Sequence, residues 1–200
     1  YLYGVGALVV PLAILIVLIV LTGSGFGGEL FSNAESTFVG VLYVGVLASF
    51  AYQVRSASFD GITANETAAF SILILTAIWV SDTAGYFAGR AFGRRHPFPD
   101  ISPGKTEAGY IGGILGSVAL VVFGSTYLEF LTLWHGIGLG LVVGFGAPFG
   151  DLVESMIKRD AGVKDASAVI PGHGGILDRF DSFLFVYPLV YVYLSISQLV

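Results

Sequence analysis

The chain has 200 residues, of which 55% are hydrophobic and only 12% charged, and its mean hydropathy is +0.84. Soluble domains carry about 25% charged residues, so this composition excludes an ordinary soluble globule and indicates a protein with several membrane spans. The formal charge of −5 says little about partners, and no nucleic-acid partner is expected; zero cysteines exclude disulfides, thiolate zinc sites and cysteine nucleophiles.

The apolar runs are continuous, whereas the strands of a membrane barrel alternate polar and apolar over about 10 residues. The prediction is therefore an all-α, polytopic transmembrane bundle with six spans, near 4–22, 35–54, 66–88, 108–125, 132–158 and 180–199. The first run has no basic segment before it and no small-residue cleavage site after it, so it reads as a span and not a signal peptide. The chain opens Tyr-Leu-Tyr without a methionine, which raises the expectation that earlier spans are missing. Nothing argues for a second domain: residues 1–200 form one membrane-embedded unit, with N-terminal spans in 1–65 and most of the charged residues in 66–200. Glycines recurring in spans three to five, such as Gly85, Gly113, Gly140 and Gly144, are assigned to close helix approach and not to chemistry.

Eight of the nine Lys and Arg residues lie in or beside the loops after spans three and five, which share a side if six spans alternate. The positive-inside rule makes that side the cytoplasm, giving two polar cytoplasmic loops and a location in the inner or plasma membrane.

Asp82 lies near the end of the third span, where a carboxylate needs a reason. The loop beyond it carries Ser102-Pro-Gly-Lys105-Thr106, which lacks the glycine spacing and the strand–loop–helix context of a Walker site. It remains a candidate contact for a nucleotide or a lipid phosphate, while Arg94 and Arg95 suit either that role or anchoring to headgroups. At the end of the fifth span, Asp151, Glu154, Ser155 and Lys158 fall at i, i+3, i+4 and i+7, on one helix face. Asp178, Asp181 and Ser182 repeat the pattern at the start of the sixth. Two such helices side by side bring Asp151 and Asp178 together, and hard oxygen ligands at a membrane edge suit Mg²⁺. The plainer alternative is that acids at a helix N-terminus are favoured by its dipole. Between the two helices, Pro171-Gly-His-Gly-Gly175 is ringed by Lys158, Arg159, Lys164 and Arg179 and followed by a helix start, an arrangement that suits an anion.

The run Ser155-x-Ile-Lys-Arg-x4-Lys-Asp-x-Ser-x2-Ile-Pro-x-His-Gly-Gly-Ile-x-Asp-Arg-Phe-Asp181 resembles the signature of the phosphatidate cytidylyltransferases (CDP-diacylglycerol synthases) at every fixed position. Upstream, Asp82-x2-Gly-Tyr, Gly89-Arg, Ser102-Pro-x-Lys-Thr-Glu107 and Gly112-Gly are similar to that family as well. Many members carry a Trp before the Glu of the Ser-Pro loop; here Glu107 follows Thr106 directly, and the N-terminal spans are fewer. The resemblance implies the reaction CTP + phosphatidate → CDP-diacylglycerol + pyrophosphate. It implies catalytic roles for Asp151, Asp178, Lys158, Arg159, Lys164 and Asp165. Substrate contacts would come from Asp82, Ser102, Lys105, Thr106, Ser155, His173, Gly174, Gly175 and Arg179. Mg²⁺, with room for a second cation, would sit on Asp151, Asp178 and Asp181, and the assembly would be a homodimer among membrane lipids. His173 is expected to contact phosphate and not to act as a base, because a phosphate monoester is already ionised near pH 7. Two alternatives stand beside this reading: the same CTP chemistry on another lipid phosphate, such as an archaeal ether lipid, and a transporter or cation channel.

Overall fold

A computed structural model describes residues 42–57, 62–163, 167, 175, 177–197 and 199. Every regular element among them is helical, as the sequence predicts: a π-helical turn, Leu42–Val46, runs into α1 (Leu47–Arg55), followed by α2 (Ala64–Phe92), α3 (Glu107–Ser125), α4 (Leu133–Asp160) and α5 (Leu177–Ile196). The predicted first span, 4–22, lies outside the described residues. The helices α2 to α5 are each long and apolar enough to cross a membrane, and the protein is an integral membrane protein. At about 1.5 Å per residue the 28 residues of α4 run about 42 Å, beyond the roughly 30 Å of a hydrocarbon core. Its polar last turns therefore have room to project from the membrane, as its sequence suggests.

Local chemistry sets the helix starts. Thr63 and Glu66 form a capping box on α2, with the Glu66 carboxylate accepting from both the backbone N–H of Thr63 (2.9 Å) and its hydroxyl (2.7 Å). The hydroxyl oxygens of Thr106 and Thr132 cap α3 and α4 by accepting from Gly109 N–H and His135 N–H. The far end of α4 closes at Gly162, whose φ of 70° suits a residue without a β-carbon. There the N–H of Val163 returns to the Lys158 carbonyl at 2.9 Å.

The bundle is held at glycine-mediated crossings. A β-carbon on Gly85 would stand 3.0 Å from the Gly109 carbonyl oxygen, and one on Gly144 would stand 2.7 Å from the Ile114 Cα, so α2, α3 and α4 touch nearly backbone to backbone. Buried hydroxyls add specific bonds: Ser117 Oγ donates to the Gly140 carbonyl at 2.9 Å and Ser182 Oγ to the Ala147 carbonyl at 3.0 Å. Tyr187 on α5 reaches the Ser71 carbonyl of α2 at 2.9 Å. The apolar centre contains Phe70, Ile74, Leu139, Val143, Val186 and Val190, all buried. Large apolar side chains such as Trp79, Phe87, Leu115 and Phe123 stay exposed on the outside, where a membrane protein meets lipid. Consecutive long helices pack antiparallel, so the C-terminal ends of α2 and α4 and the N-terminal ends of α3 and α5 share one end of the bundle.

Candidate active site

The site at that end begins with an ion pair. Lys105, just before α3, places its Nζ 2.5 Å from Asp151 Oδ2 and 3.3 Å from the carbonyl oxygen of Pro148. Ser155 Oγ, one turn on, donates to the other oxygen of Asp151 at 3.2 Å.

Asp151 also belongs to a group of three carboxylates. Asp151, Glu154 and Asp181 each offer an oxygen, all within 4.8 Å of one another. The group forms because α4 and α5 cross at Gly150, where a β-carbon would meet Phe185 Cβ at 2.8 Å and the Asp181 carbonyl at 2.9 Å. Glu154 is 1% exposed, and its Oε1 has no hydrogen-bond partner. The hydroxyl of Tyr43, which clusters with Val153, Leu184 and Phe185 at the start of the described chain, is likewise buried and unpaired. Buried polar atoms without partners are costly, and three converging carboxylates repel one another unless a cation intervenes. Hard oxygen donors of this kind fit Mg²⁺.

A second layer lies beside the carboxylates. Lys158 Nζ bridges Glu154 Oε2 at 2.6 Å and Asp178 Oδ1 at 2.7 Å, and the side chains of all three are largely buried. Asp178 also accepts from the backbone N–H of Gly175 at 2.6 Å, which ties that residue to the first turn of α5. Asp178 is thus placed with Lys158, and the carboxylates found beside Asp151 are Glu154 and Asp181. Glu154 is not among the predicted site residues, although its i+3 spacing from Asp151 was visible. The missing signal was its burial.

A cavity of about 710 Å³ opens beside this cluster, lined by α2, α3, the loop between them, and α4. That volume lies within the range of small-molecule sites, about 300–1,000 Å³. Asp82, Lys105, Thr106 and Asp151 of the predicted residues line it, together with Ser81, Arg90, His96 and Tyr110, which the sequence did not single out as ligand contacts. Ser102 instead shapes the loop: its N–H donates to the Phe98 carbonyl at 2.9 Å and its carbonyl accepts from Lys105 N–H at 3.2 Å. Arg159 is exposed and bonds the Val163 carbonyl beyond the helix end at 3.4 Å, and Arg179 is exposed on the first turn of α5. The predictions for Lys164, Asp165, His173 and Gly174 fall outside the described residues.

The protein is a membrane-spanning helical bundle that gathers carboxylates and lysines beside a cavity at one end. The chain belongs to the cytidylyltransferase family, whose family model matches residues 2–197. It is 39% identical over 165 residues to a phosphatidate cytidylyltransferase of Staphylococcus aureus strain COL, covering 82% of this chain and 60% of that protein. It is also 38% identical over 189 residues to the chloroplastic phosphatidate cytidylyltransferase 4 of Arabidopsis thaliana, covering 86% of this chain and 48% of that one. The chain thus spans about 60% of the length of the staphylococcal relative and about half of the plant one.

Proposed function

We propose that this protein transfers the cytidylyl group of CTP to phosphatidate, giving CDP-diacylglycerol and pyrophosphate. The observation that carries the reading is the double membership of Asp151, which lines the cavity and belongs to the carboxylate group. A nucleotide in the cavity would have its phosphates beside the three carboxylates. Membership of the cytidylyltransferase family and the names of the relatives support the same reaction.

In this reaction an oxygen of the lipid phosphate attacks the α-phosphorus of CTP. A new P–O bond forms there, and the bond to the bridging oxygen of the β-phosphate breaks, releasing pyrophosphate. Both reactants are anions, so catalysis rests on positioning and charge neutralisation. An ammonium has three donors; Lys105 and Lys158 each spend two on the contacts above, leaving one for a phosphate oxygen. Asp151, Glu154 and Asp181 would hold Mg²⁺, which when bound supplies positive charge to the phosphates. Asp178 keeps Lys158 and the Gly175 backbone in register beside that point. No side chain need act as a base, since the attacking phosphate is already ionised.

The basic residues support an orientation with this end in the cytoplasm, where CTP is found, and a place in the inner or plasma membrane. A homodimer is the assembly proposed, from the family resemblance alone. The decisive experiment is CTP turnover by the purified protein offered diacyl and ether-linked lipid phosphates in parallel. Pyrophosphate release with the diacyl substrate is expected; turnover only with the ether-linked one would move the acceptor, and turnover with neither would overturn the reaction.

A further inference from the structure

The 710 Å³ cavity has two chemically different ends. Toward the loop it is lined by Arg90, His96 and Lys105, all able to carry positive charge. Toward the interior its lining comes from Ser81 and Asp82 on α2 and Tyr110 on α3, with glycines between them. Ser81 lies 11 residues before the end of α2 at Phe92, about 16 Å into the bundle at ~1.5 Å per residue.

The hydroxyl of Ser81 stands apart from its neighbours. On α2, Thr67, Ser71, Thr76 and Thr83 each donate to the carbonyl one turn back, at 2.8 to 3.2 Å. Ser81 is the remaining serine or threonine of that helix; it is 2% exposed, and its Oγ has no partner. The hydroxyl of Tyr110 is also buried and unpaired, while its ring packs edge-on against Phe98. Two residues with orphaned hydroxyls, both tucked just behind the surface, therefore belong to the wall of the same cavity as Asp82.

This end suits an uncharged group with both donors and acceptors. A phosphate there would face the Asp82 carboxylate with no cation on the same turns of α2 and α3. Cytosine carries an amine at N4, which donates, and N3 and O2, which accept. A carboxylate accepts from that amine, as Asp and Glu do when they read cytosine in nucleic acids, and hydroxyls donate to ring acceptors. Uracil has a carbonyl in place of the amine and would set an oxygen against the carboxylate.

We propose that the inner end of the cavity is the nucleobase subsite, with the Asp82 carboxylate accepting from the cytosine N4 amine and the Ser81 and Tyr110 hydroxyls donating to N3 and O2. This inference rests on the CTP reading above and adds the residues that choose cytidine over uridine. It also explains a carboxylate within a membrane helix that takes no part in the three-carboxylate group.

The test measures equilibrium binding of CTP and of UTP, with Mg²⁺ and without lipid, and then the KM for each substrate. The proteins compared are the unaltered chain, Asp82→Asn, Ser81→Ala and Tyr110→Phe, each checked for thermal unfolding in detergent. The unaltered protein should prefer CTP. In Asp82→Asn, whose amide can donate to the uracil carbonyl, the CTP-over-UTP preference should fall at least about tenfold, because a site built to hydrogen-bond one partner rejects another strongly. Ser81→Ala and Tyr110→Phe should weaken CTP binding several-fold and leave the KM for lipid phosphate unchanged. They delete one oxygen each and keep the test alive if Asp82→Asn does not fold. Unchanged CTP preference and affinity in the folded variants would overturn the base subsite while leaving the reaction standing. A raised KM for lipid phosphate with intact CTP binding would give this end to the lipid and overturn it too. Failure of the unaltered protein to bind or turn over CTP would overturn the reaction and the subsite together.

Discussion

Lys105 and Asp151 meet at 2.5 Å although one precedes α3 and the other lies in the last third of α4. The pair joins the loop after α2 to the carboxylate group, and it places a cation at the boundary between the cavity and the three-carboxylate group. Its side chains are 20% and 35% exposed, so as a structural link it should contribute little, roughly 0–1 kcal/mol. As a phosphate contact it should matter much more. Lys105→Ala should lower CTP turnover about 10- to 150-fold, the loss of a charged hydrogen bond of about 1.5–3 kcal/mol, with only a small change in melting temperature. A large melting shift with a modest rate loss would make Lys105 a strut and not a substrate contact.

Magnesium titration separates the carboxylates. Asp151→Asn, Glu154→Gln and Asp181→Asn should each raise the Mg²⁺ concentration needed for half-maximal activity by tenfold or more (about 1.4 kcal/mol). Asp178→Asn should cut the maximal rate by releasing Lys158 and Gly175 while changing the Mg²⁺ requirement less. An equal shift for Asp178→Asn would restore it to the ligand set expected from sequence.

Lys158 neutralises two largely buried carboxylates. Lys158→Met should destabilise the protein by about 3–5 kcal/mol, because removing one partner leaves buried charge uncompensated. The double variant with Glu154→Gln should recover part of that loss, since it removes one of the stranded charges. Denaturant unfolding in detergent measures both, and additive losses would show that the two residues do not interact.

Gly150 sets the distance between α4 and α5. A β-carbon there has nowhere to go, with Phe185 Cβ at 2.8 Å and Asp181 O and Ser182 Cα at 2.9 Å. Gly150→Ala should cost about 1–3 kcal/mol by overpacking and should lower activity further by parting Asp151 from Asp181. Gly45→Ala, where a β-carbon meets nothing within 4 Å, is the control. Equal stability of the two variants would show that the crossing relaxes.

Orientation is checked with single cysteines. Placed at Arg94 and Lys164, they should react with a membrane-impermeant thiol reagent only from the cytoplasmic side. Labelling of either from outside intact cells would invert the topology.

Much of the fold was legible in the sequence, because membrane spans announce themselves by apolar length. The predicted 66–88, 108–125 and 132–158 sit inside or nearly coincide with α2, α3 and α4, and 180–199 overlaps α5. The boundary differences have local causes. The capping box at Thr63 and Glu66 starts α2 two residues early, and α5 starts at Leu177, before its apolar stretch, taking Asp178 into its first turn. The crowding of charge at one end was legible too, since ionisable residues are scarce elsewhere in the chain.

The sequence by itself determined the helical membrane class, the family signature and the set of charged residues from which a site had to be built. Only the tertiary structure decided how those residues pair. Asp178 and Asp181 are three apart, on neighbouring faces of α5 and about 4.5 Å apart along its axis, and periodicity treats them alike. The close crossing at Gly150 aligns Asp181 with Asp151 and Glu154, leaving Asp178 one turn away, opposite Lys158. Ser81 shows the same limit: its spacing reads like that of any helical serine. Its orphaned hydroxyl exists only because α2 and α3 enclose it beside a cavity, a consequence of packing between segments distant in sequence.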